Sequence, residues 1–97
     1  MTPTHVTING HRFDIEMTPS LHIEGEKCEG GMWLSQRVIK IDSELSGERL
    51  ERVLKHEIFH AYLGITGLTE LLPPHVEEAL CIMMESCSSE LGYEGFE

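Results

Sequence analysis

The residues best suited to chemistry are His56-Glu57-Ile58-Phe59-His60, an HExxH run inside a segment that reads as helix. Two histidines four apart stand on one helical face, about one turn from each other. That spacing lets both imidazoles reach one zinc ion at roughly 2.0–2.1 Å. The glutamate between them is then placed to act on a zinc-bound water as general base. The chemistry is metal-assisted hydrolysis, with His56 and His60 as ligands and Glu57 as the base.

Five residues can arise by chance in a chain with six histidines, so their context matters. Leu50, Val53, Leu54, Ile58 and Ala61 form an apolar stripe at helical spacing, and Glu57 falls close to its centre. An ionised, unpaired carboxylate at a core-facing position is costly. A zinc-bound water nearby relieves that cost. A catalytic zinc needs a third protein ligand and keeps a fourth position for water. His75, Glu77, Glu78 and Cys28 are the candidates. Glu77 borders the apolar stripe of a second predicted helix, with Leu80, Met83 and Met84 at +3, +6 and +7, and is the favoured ligand. Glu78 faces the side of Cys81, Ile82 and Glu85 and is the alternative. No residue is marked as a transition-state donor; Tyr62, Tyr93, His22 and His75 are available.

The elements that must position these residues are legible in outline. Residues 4–9 alternate polar and apolar, Asn9-Gly10 is a tight-turn signal, and residues 12–17 alternate again, which predicts a hairpin. Thr18 to Gly31 reads as mostly loop. Met32-Trp33-Leu34 and Val38-Ile39-Lys40-Ile41 predict two more strands. Ser46 is a good N-cap for the HExxH helix, with Glu48 in its first turn and Gly64 as its stop. Pro73-Pro74 opens the second helix, with a stripe of Val76, Leu80, Met83, Met84, Cys87 and Leu91 before a polar tail from Ser88. Trp33, Phe13, Phe59 and Met32 are expected in the core, with Met83 and Met84. Strands first and helices after predict an α+β domain with a small, mostly antiparallel sheet of about four strands.

Ninety-seven residues make one domain with one core, and a 40% hydrophobic fraction is ordinary for a soluble one. Seventeen acids against seven Lys and Arg give a net charge of −10. That excess disfavours nucleic acids and anionic membranes and is compatible with a basic partner or a cationic substrate segment. No apolar run approaches the ~18 residues of a membrane span. Three cysteines without a CxxC pair do not suggest a disulfide framework. With no secretory leader in the sequence, a cytoplasmic setting is expected, and a monomer is the default state.

His56 to Ala61, the Gly-Leu-Thr-Glu-Leu-Leu run at 67–72 and Glu77-Glu78-Ala79-Leu80 together resemble the small HExxH zinc metallopeptidases. The likeness is to short phage-encoded and bacterial proteins of the ImmA/IrrE-like kind, and it spans about residues 31–91, including the strand Val38–Ile41. It implies a compact zincin holding one zinc through His56, His60 and a glutamate. It further implies peptide-bond hydrolysis, with Glu57 moving a proton from water to the leaving amine and an extended substrate lying along a strand edge of the 31–41 region. The chain departs from thermolysin-like enzymes four residues after the ligand. There an acid orients a histidine, and here Cys81 or Ile82 stands in its place. Peptide deformylases also carry HExxH, but the neighbours of Cys28 do not reproduce their cysteine motif. A zincin scaffold serving as a catalytically weak or inactive adaptor or inhibitor that binds a protein partner is the alternative function.

Overall fold

A computed structural model describes residues 4–90, with side chains described through residue 86. The Cys87 side chain, Leu91, Tyr93 and the remainder of the expected tail lie outside the described residues. Two strands, β1 (His5–Ile8) and β2 (His11–Thr18), form the antiparallel hairpin around Asn9-Gly10, with Val6 opposite Phe13. The chain then forms a two-stranded ribbon, β3 (His22–Ile23) and β4 (Glu26–Lys27), inside the segment expected to be loop. Next come β5 (Gly30–Trp33) and β6 (Val38–Asp42), an antiparallel pair joined by a turn.

The four longer strands make one sheet in the order β1-β2-β6-β5. β6 runs parallel to β2, with Ile15 beside Ile39 and Met17 beside Ile41, so the sheet is mixed. The parallel pairing arises because the β3–β4 ribbon and β5 carry the chain back across the sheet before β6 begins. β5 is left as an outer strand. Strand alternation places Val6, Ile8, Phe13, Ile15, Ile39 and Ile41 on one buried face.

Helix α1 (Gly47–Thr66) covers that face. Its stripe is the expected one: Val53, Leu54, Ile58 and Ala61 are buried in the core cluster, with Leu50 packed against it. Ser46 is the N-cap in extended backbone, but its hydroxyl makes no capping bond. The helix runs through Gly64 and stops at Gly67, whose φ of 84° is the left-handed conformation that suits glycine. A short 3-10 turn (Leu68–Glu70) leads to α2 (Pro74–Glu90).

α2 packs chiefly against α1. Its burial differs from the expected stripe. Cys81 is fully buried, whereas Met83 and Met84 are 54% and 42% exposed. The helix is therefore rotated so that the Glu77, Cys81 and Glu85 edge meets α1, and the two methionines leave the core. Phe13 is in the core as expected, and Met32 packs against it.

Candidate metal centre

Regular α1 geometry turns His56 and His60 towards α2, with their Nε2 atoms 3.2 Å apart. Glu78, near the start of α2, presents a carboxylate to both: Oε1 lies 2.7 Å from His56 Nε2 and Oε2 lies 3.2 Å from His60 Nε2. His56, His60 and Glu78 thus form a group that could hold a metal ion. Tetrahedral ligands at zinc–nitrogen distance stand about 3.3 Å from one another, which the two Nε2 atoms match at 3.2 Å, while Glu78 turns one carboxylate oxygen to each ring.

The other ring nitrogens decide the chemistry of the group. His60 Nδ1 lies 2.6 Å from Glu77 Oε2, and His56 Nδ1 lies 2.8 Å from Glu85 Oε2. A carboxylate only accepts, so each Nδ1–H donates a hydrogen bond to it, which leaves the lone pair of each ring on Nε2. Two imidazole lone pairs and a carboxylate then converge on one point. Three acceptors facing each other repel unless a cation lies between them, so the donor set suits a divalent metal.

Glu77 and Glu78 therefore meet different ring nitrogens. Glu77 does lie on the buried side of α2, but that depth carries it to His60 Nδ1. Glu78, on the exposed side, meets the Nε2 atoms, which point towards the cleft. The group that could hold a metal contains Glu78, the alternative, and does not contain Glu77, the favoured choice. Glu85 was not expected in the site. Its signal was position: it lies seven residues, two helical turns, beyond Glu78. It supplies a histidine-orienting carboxylate of the kind that the position four residues after the glutamate lacks.

Glu57 is 9% exposed and sits between α1 and the outer strand β5. Burial pushes its carboxyl pKa up; His60 and His56 oppose the shift, and Glu78 and Glu85 add to it. Gly30 makes the close approach possible. A Cβ there would lie 2.8 Å from Val53 Cγ1 and 3.2 Å from Glu57 Cγ. Cys81, buried beneath the same glutamates, has its thiol pushed up to about 12, foremost by burial, which makes it an inert packing group.

A cleft of about 310 Å³ opens beside the group. His56, Glu57, Glu78 and Glu85 form one part of its wall, and Gly30, Val53 and Ile82 another. Glu29, Arg49 and Arg52 complete it. Tyr62, His22 and His75 do not line this cleft, and His22 Nδ1 lies 2.7 Å from the Ser20 carbonyl. Cys28 lies outside the metal group, its thiol donating to the Glu26 carbonyl at 3.5 Å. No helix among the described residues is long and apolar enough to cross a membrane. Comparison with protein-family models, with curated proteins and with solved structures finds no match to this chain.

Proposed function

We propose that the chain is a zinc-dependent metallopeptidase, with His56, His60 and Glu78 as the zinc ligands and Glu57 as general base. The observation that carries this reading is the convergence of three acceptors on one point, with both histidines held from behind by Glu77 and Glu85. Bound zinc supplies Lewis-acid polarisation of a water and of the scissile carbonyl. Glu57 would serve as the general base of the hydrolysis, taking up a proton and returning it to the leaving amine. Its carboxylate lines the same cleft as His56 and Glu78, where a general base must stand. Glu77 and Glu85 keep the two rings in the ligating tautomer and add to their basicity. The outer strand β5 borders the cleft and offers backbone groups to an extended peptide. The HExxH resemblance to small metallopeptidases supports the same reading.

Metal analysis of purified protein tests it first. About one zinc per chain is expected, lost in His56→Ala. Cleavage of a peptide library by wild type and not by Glu57→Gln then separates an enzyme from a zincin-like binder. Zinc binding without cleavage of any peptide favours the adaptor alternative, and absence of metal overturns the metallopeptidase reading.

A further inference from the structure

The cleft contains two arginines in different states. Arg49 is spent: it donates to both carboxylate oxygens of Glu29, through Nε at 2.7 Å and through Nη2. That pairing holds its guanidinium even more firmly protonated than usual. Arg52 lies one turn before His56 on the same face of α1, lines the same cleft, and has no ion pair or hydrogen bond among the described residues. The acids around it are engaged elsewhere. Glu29 holds Arg49, Glu85 holds His56 Nδ1, and Glu78 faces the two Nε2 atoms.

We propose that Arg52 is a specificity-determining residue that binds a carboxylate of the substrate close to the scissile bond. This rests on the metallopeptidase reading. A guanidinium offers a planar fork of N–H donors that matches a carboxylate with two parallel bonds, and it rejects a cation at the same place. The carboxylate has two possible sources, an Asp or Glu side chain or the free C-terminus of a short peptide. Ile82, exposed on the wall of the same cleft, accommodates the apolar part of such a residue.

Zinc-loaded protein is assayed on acetylated, amidated alanine pentapeptides carrying Glu, Gln or Lys at each position in turn. A second set compares free and amidated C-termini. Wild type is expected to prefer the acid over its amide by about tenfold in kcat/KM, as a charge-assisted bond gives. The set that shows the preference identifies the source. In Arg52→Gln the acid and amide peptides are cleaved at nearly equal rates. Arg52→Lys retains part of the preference, and Arg52→Glu turns it towards Lys. Zinc content is measured for every variant, so that metal loss is not read as lost recognition. An acid preference that survives in Arg52→Gln, or its absence in wild type, overturns the proposal and leaves the peptidase reading standing. If wild type cleaves nothing, calorimetric binding of the same peptides to zinc-loaded Glu57→Gln decides. Tighter binding of acids, lost in Glu57→Gln/Arg52→Gln, sustains the role of Arg52 although the peptidase reading fails. Equal binding of acids and amides overturns it.

Discussion

Each histidine of the HExxH run has its Nδ1 engaged by one carboxylate, Glu85 for His56 and Glu77 for His60, and its Nε2 turned towards Glu78 and the other ring. This division of labour gives Glu77, Glu78 and Glu85 different mutational signatures. Under the proposed assignment Glu78→Ala removes a ligand and is expected to abolish tight zinc binding. Glu77→Ala and Glu85→Ala leave the ligands in place and are expected to weaken it by about 10–100-fold each. Competition with a chelator of known affinity checks the ranking; equal losses at positions 77 and 78 would sink the assignment. Glu57 gives a second test, in metal-free protein. Its carboxyl pKa is raised in the folded chain, so the folded state binds the proton more tightly than the unfolded one. Its contribution to stability is fully present below the ordinary carboxylate pKa and is lost as pH rises through the raised value. Glu57→Gln is therefore expected to have the higher Tm at neutral pH and the flatter pH dependence. Thermal melts in chelator from pH 4 to 8 measure this. The HExxH spacing makes His56, Glu57 and His60 readable directly, because i, i+1 and i+4 on a helix have known directions.

At the scale of elements, the site depends on how closely α1 lies against β5. The contact is made over Gly30, where a side chain would strike Val53 and Glu57. Gly30→Ala is expected to cost about 1–3 kcal/mol of stability, as overpacking does. It should also lower kcat more than zinc affinity, because it displaces the base and not the ligands. Denaturant melts, zinc titration and peptide cleavage together test that split. The paired runs 4–9 and 12–17 and the stripe of α1 were legible because alternation and helical periodicity are local properties. The β3–β4 ribbon was not, since two-residue strands carry no periodicity. The packed face of α2 is not legible from hydropathy, because Val76, Leu80, Met83 and Met84 are apolar but the face that meets α1 carries Glu77, Cys81 and Glu85. Those carboxylates are tolerated there because histidines receive them.

For the whole molecule, the sheet and α1 hold the hydrophobic core, while the described part of α2 adds only Cys81 to the fully buried set. α2 meets α1 through Cys81 and the His–Glu contacts, and a metal at the centre of those contacts would clamp the two helices together. Chelation is expected to lower Tm and to raise amide exchange in α2 more than in β2 or β6. At free zinc one hundred times the Kd the clamp would contribute about 2.7 kcal/mol. Uniform exchange with and without chelator would count against the clamp. The sequence by itself determined an α+β chain, the hairpin, the HExxH helix and the placing of Glu57 on its apolar stripe. All of these follow from residue spacing along one element. Only the tertiary structure decided that β6 pairs parallel to β2, that Glu78 meets the two Nε2 atoms, and that Glu77 and Glu85 stand behind the rings. Those outcomes depend on the rotation of α2 and its crossing of α1. A rotation of 100° exchanges neighbours such as Glu77 and Glu78, and it is set by contacts between residues far apart in the chain.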